Sequence, residues 1–292
     1  IWSGSIDTGL YTPELVAGTH FVGVEAFDNE NKKWTEYKDY STPSDNPTIK
    51  WVFETGDSIQ SSATINEANV YVGSNDGNLY CIDRDTGSQK WCIQTGDFVI
   101  SKPAITSEGN IVFGSGDEFV YCASANDGNV IWNTKLGGSV LSDPLTSEGR
   151  VFIGCGDGKI YCLNSASGEI VWEYQTDGLM RQRPILENGI LYAFVRDTYI
   201  WYAIDASTGQ LIWRGNANTD ESLFVCGDVR PVIANGKLWC IDAQNTRPAY
   251  LSLDTGELAW TSTLEKVSSR GMTTNGSTVF YSSNSGRQIT AF

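Results

Sequence analysis

The sequence predicts an all-β fold, a six-bladed β-propeller whose four-stranded blades stand in a ring, with a separate β segment in front of it. Three observations carry that expectation. Tryptophan recurs with a nearly constant period: Trp51, Trp91, Trp132, Trp172, Trp213 and Trp260 are spaced by 40, 41, 40, 41 and 47 residues. Glycine-bearing turns recur in register with it, as in Asn75-Asp76-Gly77 and Thr86-Gly87. The 292 residues are 40% hydrophobic, with 30 Gly and 13 Tyr, a composition of short strands and tight turns around a real core.

One unit, 59–97, defines the four strands. Strand A is expected near Ser62–Ile65, B near Val70–Gly73, C near Leu79–Asp83, and D from Trp91. Asn75-Asp76-Gly77 supplies the positive φ of the B–C hairpin, and Thr86-Gly87 that of the C–D turn. Such a unit cannot bury both faces alone, so the units must stack side by side. Closure is expected from both ends of the chain. Gly271–Thr274, Thr278–Ser282 and Gln288–Phe292 read as A, B and C with no D after them. The stretch from Pro43 to Trp51 reads as a D with no A to C before it, so the N-terminal strand is expected to pair with the last blade and remove the open edge. The propeller would then cover 43–292.

Residues 1–42 stand outside the period. Ala17 to Asp28 alternates strongly, turns at Asn29-Glu30-Asn31, and returns through Lys33–Lys38. The segment resembles the last hairpin of Ig-like sandwich domains, and the alternative is an irregular extra blade. Residues 41–47 read as linker. The chain starts without Met or a leader pattern, which reads as a processed product or part of a longer polypeptide. No apolar run reaches the roughly 20 residues a membrane helix needs, so direct membrane insertion is not expected.

The motif Ala/Cys-x-Asp-x-x-Thr-Gly-x-x-x-Trp appears as Cys81 to Trp91 and Ala203 to Trp213, and in weaker form at Cys122, Cys162 and Tyr250. It resembles the repeat of the quinoprotein-type (PQQ-like) β-propellers over about 250 of the 292 residues. No Trp-Asp dipeptide occurs, so the pattern is not that of WD40 repeats. The resemblance implies that the periodic Trp packs between neighbouring blades. It also implies pyrroloquinoline quinone (PQQ) and calcium as a second possibility, in an oxidoreductase. The family's vicinal Cys pair is missing from this chain, and no position matches its catalytic Asp, so no cofactor is expected.

Composition excludes other chemistry. A formal charge of −15 argues against a nucleic-acid grip. A single histidine, His20, excludes His-rich zinc sites and makes a Ser-His-Asp triad improbable. Cys81, Cys122 and Cys162 occupy the small-residue position that Ala203 holds, so they read as buried thiols; only Cys226 with Cys240 offers a pairing. Seven cysteines leave at least one thiol free and point to an anaerobic or reducing setting. The expected location is the cell surface or secretion in such a setting, with the cytoplasm as alternative.

The few bases are not evenly spread. At the start of strand A the repeat carries Ser62, Lys102, Asp143, Arg183, Arg230 and Arg270, with Arg181 beside them. The B–C loops on the same face add Lys159, Arg196, Arg247 and Arg287. Nine of 20 basic residues thus fall on one face. Converging Arg favours carboxylate or phosphate, so this face is expected to bind an acidic small molecule, glycan or protein segment. Phe98 and Phe119 are candidate aromatic platforms beside it. A solvated Arg-Asp network that binds nothing is the plain alternative, and a purely structural spacer remains a third reading of the whole chain.

Overall fold

The computed structural model describes residues 3–6, 19–27, 33–41, 49–195, 197–198, 200–216, 231–242, 247–263, 269–283 and 289–292. Among the described residues there is no helix, and the strands form six antiparallel sheets. Three strands come from the N-terminal region: β1 (Ser3–Ile6), β2 (Thr19–Phe27) and β3 (Lys33–Ser41). The first four-stranded sheet is β4 (Thr64–Ile65), β5 (Asn69–Gly73), β6 (Asn78–Asp83) and β7 (Gln89–Gln94). The second is β8 (Ala104–Ile105), β9 (Ile111–Gly114), β10 (Phe119–Ala123) and β11 (Val130–Lys135). The third is β12 (Leu145–Ser147), β13 (Arg150–Gly154), β14 (Lys159–Asn164) and β15 (Ile170–Gln175). The fourth is β16 (Ile185–Glu187), β17 (Ile190–Val195), β18 (Ile200–Asp205) and β19 (Leu211–Asn216). The fifth is β20 (Val232–Ala234), β21 (Lys237–Asp242), β22 (Arg247–Ser252) and β23 (Leu258–Thr261). The last strands are β24 (Ser269–Thr274), β25 (Val279–Ser283) and β26 (Ile289–Ala291). Residues 50–215 form one compact unit; 1–49 with 216–292 form the other.

The expected strand order A-B-C-D holds in all five four-stranded sheets. The closing strand does not come from the expected stretch. The last sheet runs β24-β25-β26-β1-β2-β3, so β1 takes the D position, with Ser3 opposite Thr290 and Gly4 opposite Ile289. Trp51 opens no strand. Pro43 and Pro47 each lack an N–H, which makes that stretch a poor donor to a ladder. The alternating hairpin β2–β3 is nine residue pairs long and continues the same sheet outward from β1.

The periodic Trp joins each sheet to the next within residues 50–215. The Trp132 indole N–H donates to Ser165 O at 2.9 Å, Trp172 to Ala206 O at 3.0 Å, and Trp91 to Ala125 O at 3.2 Å. Each acceptor sits in the C–D turn of the following sheet. Trp51 makes the same bond to Arg84 O at 2.9 Å, so it keeps the packing role although it is not in a strand. Under each indole lies the turn glycine, Gly87, Gly128, Gly168 or Gly209, at φ 73–74°. A Cβ on Gly168 would stand 2.5 Å from the Trp132 ring. Only glycine meets both demands, the left-handed backbone and the close ring.

The rest of the motif serves the same turn. Across the C–D ladder Cys81 faces Trp91, Cys122 faces Trp132, and Cys162 faces Trp172. These thiols are fully buried, as their periodic position predicts. Burial pushes Cys81 up to about 11 and Cys122 up to about 12, so neither is a thiolate nucleophile near neutral pH. Cys226 lies outside the described residues. The motif Asp closes the turn on itself. The Asp83 carboxylate accepts the Thr86 N–H at 2.9 Å and faces Lys90 Nζ at 3.0 Å; Asp205 accepts the Thr208 N–H at 2.8 Å.

Gly168→Ala is expected to lose about 1–2 kcal/mol to the left-handed backbone and about 1–3 kcal/mol more to overpacking against Trp132. Gly189→Ala, also left-handed at φ 77° but with nothing within 4 Å, should lose the backbone component alone. Urea denaturation of the two variants measures the difference, and equal losses would contradict the indole contact.

A pH dependence follows from the turn aspartates. The Thr86 amide, then Lys90, hold the Asp83 carboxyl well below the usual carboxylate range; the Ser207 hydroxyl and the Thr208 amide lower Asp205. In the unfolded chain both take up protons near pH 4. Their contribution is therefore present above about pH 4 and is lost as pH falls. The melting temperature should drop below that pH, and Asp83→Asn with Asp205→Asn should flatten the drop.

Candidate functional site

The D–A loops and B–C turns share one end of each sheet, the end that carries the expected basic face. Within residues 50–215 these loops are tied by hydrogen bonds to the sheets on both sides. The Val99 N–H donates to Ser74 O, Val140 to Ser115 O, and Met180 to Cys155 O. The side chains of the same three residues plug against Gly73, Gly114 and Gly154, where an added Cβ would lie 2.4–2.6 Å from the plug. The next sheet grips the loop from the other side, since the Gly116 N–H donates to Phe98 O and Gly156 to Ser139 O, each at 2.9 Å.

Neighbouring A strands are tied just beyond these loops. Ser61 Oγ donates to Ser101 O at 3.1 Å, and Ser142 Oγ to Gln182 O at 3.0 Å. The Lys102 N–H donates to the Asp143 carboxylate at 2.8 Å. Ser62, Lys102, Asp143 and Arg183 each lie two residues before an A strand, β4, β8, β12 and β16, rather than at its first residue. Asp143 is not simply offered to a ligand, because its carboxylate links two sheets. Lys102 is half-buried, and Arg181 and Arg183 are exposed.

A cleft of about 200 Å3 opens between two of these loops. Ser139 and Leu141 form one wall, Leu179 and Arg181 the other, with Gly156 and Met180 between them. Leu179 is 36% exposed, and Ile59 on the first loop of the series is 47% exposed. The site therefore combines aliphatic surface with guanidinium, held by a hydrogen-bonded frame. The charge pattern located Arg181; it gave no sign of Leu141, Leu179 or Ser139. The glycines at the end of strand B were the available signal, since Gly73, Gly114 and Gly154 recur where a loop side chain must plug.

Several expected residues fall elsewhere. Lys159 is the first residue of β14 and pairs with Glu173 Oε1 at 2.6 Å across the ladder, with its ammonium 5.9 Å from the Tyr161 ring. It is held on the sheet surface by its neighbour strand. Phe119 begins β10, with its ring 5.9 Å from Tyr121 and Lys135 Nζ 6.0 Å above it, so it belongs to the sheet rather than to a loop platform. Phe98 is half-buried over Gly116. Arg230, Arg196 and Arg287 lie outside the described residues, as do the side chains of Arg247 on β22 and Arg270 on β24.

The periodic aspartates are turn residues. Asp76, Asp117 and Asp157 each accept a tyrosine hydroxyl, from Tyr80, Tyr121 and Tyr161 at 2.7, 2.6 and 2.5 Å. The fourth sheet has Thr198 at this position, and the carboxylate comes instead from Asp177 in the D–A loop. Asp177 accepts the Tyr202 hydroxyl and pairs with Arg214. Among the described residues no cluster of His, Cys, Asp and Glu could hold a metal ion.

Comparison with known proteins follows the repeat. A family model described as outer membrane protein assembly factor BamB matches residues 23–112, 99–158 and 146–292. The crystal structure of BamB from Moraxella catarrhalis aligns with 100% of this chain and 96% of its own, at 16% identity and a TM-score of 0.53. The computationally designed protein Ika8 aligns with 96% of this chain and 81% of its own, at 13% identity and a TM-score of 0.64. At these identities the two structures speak for the fold alone. No curated protein sequence matches the chain.

Proposed function

The chain belongs to the family of the outer membrane protein assembly factor BamB, and from that premise we propose that it is a non-catalytic scaffold of the cell envelope that docks a protein partner on its D–A loops. In this reading the six sheets are six blades, the last one stitched from β24–β26 and β1. The observation that carries the proposal is the cleft between residues 139–141 and 179–181. Its two leucines and Arg181 suit a segment that places an acidic residue beside an aliphatic one. A hydrogen-bonded loop frame limits the ordering loss on binding. The whole chain carries a formal net charge of −15, so a cationic spot is a local exception to a field that otherwise repels acidic segments. The sequence offers the oxidoreductase alternative neither a vicinal Cys pair nor a position that matches the family's catalytic Asp.

A peptide-display selection against the purified protein tests the reading. Enriched peptides should join Asp or Glu to Leu, Ile or Phe, and their affinity should fall with salt. Leu179→Asp with Arg181→Glu should weaken them at least tenfold, about 1.4 kcal/mol or more. Enrichment without acidic bias, or affinity unchanged in that variant, would overturn it. Arg183→Ala, Arg230→Ala and Arg270→Ala test the remaining basic positions in the same assay.

A further inference from the structure

A second cavity lies at the other end of the sheets, between the A–B turns of the second and third. It measures about 240 Å3, and Thr106, Ser107, Ser147, Glu148, Arg150 and Ser165 line it. Arg150 starts strand B, where the first sheet has Asn69, the second Asn110, the fourth Ile190 and the fifth Lys237. Glu148 stands where the first two sheets have Glu67 and Glu108, the fourth Asn188 and the fifth Asn235. Of these turn residues Glu148 shares the left-handed backbone of the two asparagines, at φ 47°, 49° and 52°. Asparagine tolerates that backbone and glutamate does so poorly. A glutamate held in that backbone beside a cavity is an outlier that points to a role beyond the turn itself.

The chemistry of the cavity is specific. Arg150 is half-buried, and among the described residues its guanidinium meets a thiol, Cys162 Sγ at 3.7 Å, and no carboxylate. A guanidinium so placed retains most of its donors for a planar anion. Around it stand hydroxyls, two of them on buried residues, Thr106 and Ser165. Glu148 adds an acceptor, and Glu108 binds the hydroxyls of Ser107 at 2.8 Å and Ser165 at 3.5 Å. Two nearby carboxylates disfavour a dianion such as phosphate. A neutral sugar would leave Arg150 unmatched. The volume is below the roughly 300–1,000 Å3 of pockets for drug-sized ligands.

We propose that this cavity binds a small polyhydroxylated carboxylate of the sugar-acid class, with the carboxylate on Arg150 and the ligand hydroxyls on Glu148 and the serine and threonine hydroxyls. The proposal is independent of the docking face. Calorimetric titration with glucuronate, glucose and inorganic phosphate tests it. Glucuronate should bind at least tenfold more tightly than either of the others. Arg150→Asn restores the residue of the first two sheets and should abolish that preference. Glu148→Asn should raise the melting temperature and weaken glucuronate several-fold. Leu179→Asp with Arg181→Glu should leave glucuronate binding unchanged. Glucuronate binding no tighter than glucose, or equal in wild type and Arg150→Asn, would overturn the proposal; so would unchanged binding in Glu148→Asn. Polygalacturonate added in place of the monomer separates a glycan source from a free acid: tighter binding per residue assigns the site to a chain end.

Discussion

One interaction sets the period of the sequence: an indole on strand D that donates to a carbonyl in the next sheet's C–D turn and lies on that turn's glycine. It joins two sheets by apolar burial and a directed hydrogen bond at once. It fixes the residues around it. The partner across the ladder must be small, hence Cys81, Cys122 and Cys162. The turn must close tightly under the ring, hence Gly87 to Gly209 and the self-capping Asp83 and Asp205. Within residues 50–215 the C–D turn of each sheet is thus committed to joining it to its neighbour.

This joint explains what could be read from the sequence. The Trp period, the Asp-x-x-Thr-Gly turn and the small position opposite Trp are local and repeated, so they were legible without coordinates. The strand order followed from them. The closing strand was not legible, because lateral pairing leaves no mark in spacing: Pro43 to Trp51 had the right distance from Trp91, but β1 completes the sheet. Trp51 fits the period because it keeps the indole bond while giving up the ladder.

The site was legible by half. Charge alone marked Arg181 and Arg183, since bases are scarce in this chain. Lys159 carried the same mark, yet it pairs with Glu173 within its sheet; a residue at a strand start can turn along the sheet as readily as toward the loops. The leucines of the cleft are ordinary letters in a sequence that is 40% hydrophobic, and only their place beside Arg181 in one cleft distinguishes them. Asp177 is the one aperiodic carboxylate with a visible cause: it supplies the tyrosine hydroxyl partner that Thr198 cannot.

The account depends on the D–A loops being part of the folded frame rather than mobile connections. Native-state hydrogen exchange of the Val99, Val140 and Met180 amides measures this directly. Each donates to the preceding sheet while its side chain fills the space over a glycine, so these amides should exchange as slowly as those of the flanking strands β9, β13 and β17. Exchange at the rate of unprotected loop amides would contradict the rigid docking face on which the proposed function stands.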